Sequence, residues 1–232
     1  MFVKQMTVLE SEALKDIPAH EFFRQAFMEA EKSPYFAYCA SLFNQWSQWA
    51  ATEIMAQQDP QERANVLVKL IECAQQCKEM KNFNTSYAII AGLNHGSITR
   101  LKQTWDKVPK QTMKTYKLLL EFWDVSMNHR TYRNELKVCK PPLVPYLGLF
   151  GKDVFGIEEN NKTMLDDKMI NFTKLRLVFN NIKALQKYQL SSWPSSLAPH
   201  PDMCFYLTAL KVISEKESFQ KSRSLEARQP KN

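Results

Sequence analysis

Apolar residues recur every three or four positions along most of the chain, which is the period of an α-helix with one buried face. The clearest start is Asp59-Pro60, an N-cap residue followed by proline at the first helical position, with Glu62 in the first turn. The spacing predicts further helices over 86–93, 112–123, 171–189 and 202–217. The first of these four is nearly all apolar, so it is predicted to be buried on most sides.

Two proline-rich segments interrupt this pattern. Pro141–Pro145 cannot continue a helix, because proline lacks an amide donor and clashes with the preceding turn. Residues 191–201 are predicted to form a surface loop. Between these two segments, residues 147–157 are apolar and contain three glycines. At the C-terminus, the residues from Ser218 onward are polar and basic and are predicted to be frayed. The pattern as a whole predicts one all-α domain.

Composition strengthens the helical interpretation. The chain has 232 residues, 44% of them hydrophobic and 24% charged, which is typical of one large globular domain. It has only 5 glycines, and Gly148, Gly151 and Gly156 lie close together. Sheets need glycine in their turns, so this scarcity favours helices, and it leaves no glycine-rich phosphate-binding loop. No apolar run approaches the roughly 18 residues of a membrane span, and Met1–Glu10 has no signal-peptide core.

The positive charge is concentrated in the middle of the chain. The formal net charge is +7, and residues 100–140 hold ten Lys and Arg residues against four acids, a net +6. We consider three interpretations: solvated helix faces, a docking surface for an acidic partner or an anionic membrane, and, third, a nucleic-acid site.

The residues that usually carry chemistry are scattered. The four histidines lie outside any HExxH pattern or nucleophile context. Cys73 and Cys77 are one helical turn apart, but no further Cys or His lies near them at zinc-ligand spacing. The five cysteines are therefore expected to be buried free thiols in a reducing cytosol. Residue patterns alone predict no metal, no cofactor and no covalent active site.

Six blocks of sequence, in the same order and spacing, resemble the catalytic domain of Ras-type guanine nucleotide exchange factors of the Son-of-sevenless type. The blocks are Phe43–Trp49 with Thr52–Ile54, Asn82–Asn84 with Ala88–Asn94 and Arg100–Trp105, Asn128–Arg133, Pro141–Gly148, Ile157–Asn160 and Ile170–Lys174. The opening Gln5–Glu10 is similar to the first, strand-like segment of that family. The resemblance covers essentially the whole chain, from about residue 3 to 228.

This resemblance implies a single helical-bundle-like catalytic domain over residues 1–228, with a protruding helical hairpin at about 148–176 and a tail at 229–232. It implies an exchange factor that promotes GDP release from a small Ras-superfamily GTPase, Ras-like or Rap-like, without covalent chemistry. The hairpin would open the first switch of the GTPase while the core holds the second. A cytoplasmic location is expected, with an anionic membrane surface as a candidate partner and no nucleic acid. The family's upstream bracing domain is not part of the resemblance, so either the sequence is trimmed or the factor acts without it.

The resemblance also assigns roles to individual residues. On the hairpin it places an intruding apolar group at Phe155, an intruding carboxylate at Glu159 and a GTPase-facing residue at Lys152. For the second-switch site it points to Asn94, Tyr87, Thr99, Asn44 and Ser41. It maps Asn128 and His129 near the first switch, and Tyr146 belongs to the same GTPase-binding set.

Three departures leave an alternative open. Gly151 and Gly156 interrupt the apolar run that begins the hairpin in relatives, and glycine costs about 1 kcal/mol relative to alanine in a helix. The hairpin is therefore expected to be more mobile than in relatives, or to begin later. Ser41 stands where many relatives carry arginine, and Tyr87 replaces a smaller aliphatic residue. The alternative is a catalytically inactive exchange-factor-like scaffold that binds a signalling partner.

Overall fold

The chain is almost entirely helical in a computed structural model that describes residues 1–166 and 168–227. In chain order the elements are α1 (Phe2–Lys15), a 3₁₀ segment (Ala19–Met28), α2 (Pro34–Met55), α3 (Pro60–Glu79), α4 (Phe83–Leu93), α5 (Gly96–Thr99), α6 (Lys102–Trp105), α7 (Lys110–Phe122), α8 (Ser126–Val138), α9 (Leu147–Asn160), α10 (Phe172–Gln189), α11 (Pro201–Thr208) and α12 (Glu215–Leu225). Within the described ranges, β pairing is limited to two isolated bridges. The all-α prediction is confirmed.

The core is built around α4, which packs between α2 and α3. Ala88, Ile89, Ile90 and Leu93 are all fully buried or nearly so, which confirms the prediction of a helix covered on most sides. Gly92 explains how α2 comes so close: a Cβ there would lie 2.3 Å from the backbone oxygen of Ser47. Only glycine permits this approach of two helix backbones.

The predicted helix start at Asp59 is confirmed. Its carboxylate accepts hydrogen bonds from the backbone amides of Gln61 and Glu62, at 2.7 and 3.1 Å. Pro60 occupies the first helical position, where a missing amide hydrogen costs nothing. The cysteines are all free, with Cys39 and Cys77 buried and the other three half-buried.

Gln5–Glu10 was expected to be strand-like and is instead part of α1. A strand would bury alternate residues, whereas Gln5, Met6, Thr7 and Val8 are buried in succession. The helix lies among α2, α3, α4 and α11, so neighbours on several sides cover more than one of its faces. The expectation rested on the resemblance to a strand-like family segment, and a segment of this length is too short for its pattern to separate strand from helix.

The C-terminal prediction was also wrong in two respects. The helix expected over 202–217 is two helices, because α11 ends at Thr208 and Ser214 begins α12 with a capping box formed with Glu217. The residues from Ser218 to Glu226 are not frayed, since Ser218, Ser222 and Glu226 are buried. The four-residue tail at 229–232 lies outside the described residues.

Glu10 is a buried carboxyl group that joins three helices. It accepts hydrogen bonds from the indole of Trp46 at 2.8 Å, the amide of Asn84 at 2.9 Å and the hydroxyl of Thr85 at 3.3 Å. Burial raises its pKa from 4.5 to about 7, although these three hydrogen bonds act in the opposite direction. The folded protein therefore keeps this proton to a higher pH than the unfolded chain does.

This shift predicts the pH dependence of stability. The contribution of Glu10 is present below about pH 4.5 and is lost as pH rises to about 7, so the free energy of unfolding should fall by about 3 kcal/mol across that window. Denaturant unfolding at several pH values, with Glu10→Gln beside the wild type, measures it. The difference between the two proteins should shrink or reverse as pH rises. Glu12→Gln, on the exposed side of α1, serves as the control, and a wild type that parallels Glu10→Gln at every pH contradicts the assignment.

A candidate docking site formed by a helical hairpin and an aromatic cluster

The helices α9 and α10 form an antiparallel hairpin. Phe150 and Tyr188 meet at its base, with ring centroids 6.4 Å apart, and Met164 and Ile170 pair in an antiparallel bridge at its tip. The sequence predicted the second helix over 171–189, and α10 begins at Phe172 behind Asn171, whose side chain caps the first turn. A hairpin of this form projects one exposed helix face away from the core.

Lys174 fixes the two helices to each other near the tip. It is only 5% exposed, and its ammonium lies 2.5 Å from the carboxylate of Glu158 and 3.0 Å from the hydroxyl of Thr163. The sequence predicts no role for Lys174, because Glu158 and Thr163 precede it in the chain by more than ten residues, across the tip of the hairpin. A buried ion pair of this kind requires both charges, since either one alone would remain unpaired away from water.

Lys152, Phe155 and Glu159 lie on the exposed face of α9. Their spacing of three and four residues places them on one side of the helix, opposite the buried Phe150 and Val154. Phe155 is 39% exposed, as several other large apolar side chains of the protein also are.

The carboxylate of Glu159 has a partner within the molecule. It accepts a hydrogen bond of 2.7 Å from the side-chain amide of Gln25, which belongs to the 3₁₀ segment. Arg24 and Gln25 both have left-handed backbone conformations, with φ of 52° and 59°, and such conformations cost free energy in non-glycine residues. Nothing in the local sequence pattern predicts that this segment reaches the hairpin.

The glycines of α9 are accommodated in one continuous helix. A Cβ at Gly151 would lie 3.3 Å from the rings of Phe27 and Phe36, so this glycine lets the hairpin pack closely on the 3₁₀ segment and α2. At Gly156 no heavy atom lies within 4 Å of the added Cβ. Packing therefore accounts for Gly151 and not for Gly156, and the greater mobility expected for the hairpin stays a prediction.

Tyr87, His129 and Tyr146 come together in one aromatic cluster. Tyr87 is central, because its ring stacks on Trp123 at 4.7 Å and meets Tyr146 at 4.7 Å and His129 at 5.8 Å between centroids. Phe43 completes the cluster against Tyr87 and Tyr146. Aromatic pairs at these separations are stabilising beyond the area that they bury, so the cluster gives the site a rigid floor.

A cavity of about 760 Å³ opens beside this cluster. Tyr87 and Trp123 line one part of it, and Asn94, at the C-cap of α4, lines another. The backbone amide of Asn94 closes the helix by donating to Ile90, while its side chain is exposed and has both a donor and an acceptor. Asn94 and Tyr87 thus share a cavity, as expected for residues of one binding site.

His129 links the aromatic cluster to the hairpin. Burial lowers its pKa, and the cations of Lys152 and Arg133 lower it further, while Asp124 acts in the opposite direction. His129 is only 7% exposed and its Nδ1 atom has no hydrogen-bond partner. It follows two other residues with left-handed backbone, Met127 and Asn128, and strain of this kind collects at functional sites.

A second cavity, of about 680 Å³, lies where α8 meets the hairpin. Asn128 lines it from α8, and Lys152 and Gly156 line it from α9. Two hydrogen bonds of 2.8 and 2.6 Å from Arg133 to the carboxylate of Asp153 hold the two helices together. A planar guanidinium paired in this way sets orientation as well as distance. Neither residue of this pair was predicted from the sequence to act in the site.

Neither of these two cavities is lined by Thr99, Ser41 or Asn44. All three are exposed, Thr99 at the end of α5 and the other two on one face of α2. The hydroxyl of Ser41 donates to the carbonyl oxygen of Tyr38 in its own helix, and Asn44 follows Phe43 of the aromatic cluster. Their assignment to the site stays a prediction.

The described residues contain no group of His, Cys, Asp and Glu side chains arranged to hold a metal ion. Across the same ranges, no helix is long and apolar enough to cross a membrane. The site consists of exposed side chains, an aromatic floor and a projecting hairpin. Together with the fold, these features define an all-helical domain with a helical hairpin beside an aromatic cluster.

The chain belongs to the RasGEF domain family, whose model matches residues 1–176. It is 36% identical to Ras guanine nucleotide exchange factor D of Dictyostelium discoideum over 230 residues, covering 99% of this chain and 34% of that protein. It is 32% identical to Ras-specific guanine nucleotide-releasing factor 1 of Mus musculus, covering 96% and 18%. It is 36% identical to Rap guanine nucleotide exchange factor 5 of Rattus norvegicus, covering 80% and 32%. The chain thus spans about a third or less of the length of these relatives.

Proposed function

We propose that this chain promotes GDP release from a small GTPase of the Ras or Rap type. The observation that carries the proposal is membership of the RasGEF domain family, together with relatives named as exchange factors for Ras and for Rap. The geometry agrees with it, because the exposed face of α9 and the cavity at Tyr87 and Asn94 offer two docking surfaces linked by His129.

In this proposal the exposed face of α9 acts on the nucleotide site of the GTPase. Phe155 enters the Mg²⁺ site, where an apolar ring offers no oxygen ligand to a hard cation. Glu159 places a carboxylate near the phosphates, repels the nucleotide and accepts hydrogen bonds that the phosphates release. Lys152 contacts the GTPase from the same face. Exchange then follows from preferential binding of the nucleotide-free GTPase, without a covalent step.

The core holds the second switch of the GTPase. The amide of Asn94 both donates to and accepts from an extended peptide segment, and Tyr87 and Tyr146 provide an aromatic surface beneath it. Thr99, Asn44 and Ser41 extend this contact over α5 and α2. Asn128 and His129 contact the first switch, beside the cavity that Lys152 also lines.

A specific observation favours a second candidate, an inactive scaffold. The hydrogen bond from Gln25 to Glu159 engages the carboxylate that exchange requires, and Gly156 weakens the helix that carries it. A protein of this second kind would bind a partner through Tyr87 and Asn94 without releasing nucleotide.

Release of a fluorescent GDP analogue from purified Ras, Rap and Ral proteins tests the proposal directly. We expect the full chain, at micromolar concentration, to accelerate release from at least one Ras-type or Rap-type GTPase well above the intrinsic rate. Binding to the nucleotide-free GTPase should be much tighter than binding to the GDP form. Binding without acceleration would favour the scaffold, and neither binding nor acceleration on the whole panel would refute both candidates.

A further inference from the structure

Three of the lysines within residues 100–140 lie together on one surface of the folded protein. Lys110, Lys114 and Lys117 lie on α7 at spacings of four and three residues, within a sector of roughly 60° about the helix axis. The buried residues of α7, Tyr116, Leu119 and Phe122, lie on the other side, against the core. We call the outward surface formed by the three lysines the lysine face.

The lysine face is not neutralised within the molecule. None of its three members takes part in the ion pairs formed among residues 1–166 and 168–227, and all three are exposed. Lys102 and Lys107, immediately before α7, are exposed as well. The one acid of α7, Glu121, lies one turn beyond Lys117 in the same sector and offsets part of this positive charge. Repulsion among like charges at this spacing is only slightly unfavourable for each pair, so an anionic surface is favoured on this face at low salt.

Leu118 adds an exposed apolar side chain beside the lysines. It is 55% exposed, one turn beyond Lys114 and next to Lys117. An exposed leucine among lysines is typical of a helix that lies in a membrane interface, where the apolar side chain enters the acyl boundary and the ammonium groups reach the headgroups. A nucleic-acid backbone would offer nothing to this leucine.

We propose that the lysine face, with Leu118, docks the domain on an anionic lipid surface. Two further features favour lipid over other anions. The cations are all lysine, whereas arginine is the residue suited to bidentate phosphate contacts in nucleic-acid recognition. The surface is the convex outer side of one helix and not a groove. The end of α7 adjoins the proposed GTPase site, because Leu120 and Glu121 line the same cavity as Tyr87 and Asn94.

Vesicle co-sedimentation of the full chain tests this proposal. We expect binding to phosphatidylcholine vesicles that contain about 30% phosphatidylserine, little binding to phosphatidylcholine alone, and weakening as salt rises. The triple variant Lys110→Gln, Lys114→Gln, Lys117→Gln should bind at least about tenfold more weakly, since each lysine near an anionic surface contributes to affinity. Leu118→Gln should weaken vesicle binding further and leave binding to soluble polyanions unchanged.

A charge-matched variant provides the control. Lys4→Gln, Lys187→Gln, Lys216→Gln removes the same number of exposed lysines from α1, α10 and α12, and it should bind vesicles like the wild type. Equal losses in the two triple variants would overturn the proposal, because total charge and not the lysine face would then govern binding. Tighter binding to duplex DNA or polyglutamate than to vesicles, with no effect of Leu118→Gln, would overturn it in favour of a soluble partner. No binding to anionic vesicles at low salt would also overturn it.

Discussion

Glu159→Ala and Asn94→Ala are each expected to lower the rate of GTPase nucleotide release by at least about thirtyfold, the effect of losing a contact worth about 2 kcal/mol. The two changes act on different surfaces. Glu159 lies on the exposed face of α9, and Asn94 lines the cavity beside the aromatic cluster. Loss of Glu159 should slow release with little loss of GTPase binding, whereas loss of Asn94 should weaken binding as well.

Conservative variants separate these roles from folding. Glu159→Gln keeps the shape and one acceptor oxygen, but it replaces the other oxygen by an amide donor and removes the charge, so a large loss of rate would assign the effect to the carboxylate. Asn160→Ala is the matched control, because Asn160 is exposed on the same turn and its side chain bonds only to the carbonyl oxygen of Gly156 in its own helix. The measurement is release of a fluorescent GDP analogue, with thermal unfolding run beside it. Full activity in both alanine variants would refute the assigned sites while leaving family membership untouched.

Glu226→Ala is expected to destabilise the protein by about 3 to 5 kcal/mol, the usual cost of removing one member of a buried ion pair. Glu226 is 5% exposed and pairs with the fully buried Arg63 at 3.2 Å. It also accepts hydrogen bonds from the backbone amides of Gln103 and Thr104 and from the hydroxyl of Thr104. Its loss would leave an unpaired guanidinium inside the protein and would detach α12 from α3 and α6.

Denaturant unfolding measures this effect. Glu215→Ala is the control, since Glu215 is exposed in the first turn of the same helix and takes part in none of the ion pairs formed within the described ranges; it should change stability by no more than about 0.5 kcal/mol. Replacing Arg63 by methionine together with Glu226→Leu should recover part of the loss, because neither charge then stays buried alone. A loss below about 1 kcal/mol in Glu226→Ala would show that the C-terminal helix contributes little to the fold.

Two predictions from the sequence were wrong for the same reason. Gln5–Glu10 and the residues from Ser218 onward have local patterns that suit more than one outcome. Long-range partners decide between those outcomes: Glu10 bonds to Trp46 on α2, and Ser218 bonds to Ser97 at 2.7 Å across more than a hundred residues of chain. A polar residue that is buried by a distant partner looks in sequence like a residue exposed to solvent.

The residues of the candidate site also fall into two groups: those that helical spacing places together and those that only packing between helices brings together. Lys152, Phe155 and Glu159 form one face because their spacing matches the helical period, and any sequence reader would group them. Nothing local joins Tyr87 to His129 and Tyr146, which meet only when α4, α8 and the start of α9 pack together. The same holds for Gln25 and Glu159, whose contact depends on a left-handed turn in the 3₁₀ segment.

The sequence by itself determined the all-α class, the start of α3 at Asp59, the buried α4 and the family to which the chain belongs. These depend on helical periodicity, capping residues and ordered motifs, all of which act over a few neighbouring positions. Only the tertiary structure decided the contacts of the C-terminal helix, the aromatic floor of the site and the partners of Glu159 and Lys174. Those features depend on contacts between residues far apart in the chain, and the free energy of such contacts is set by burial and geometry that no local pattern specifies.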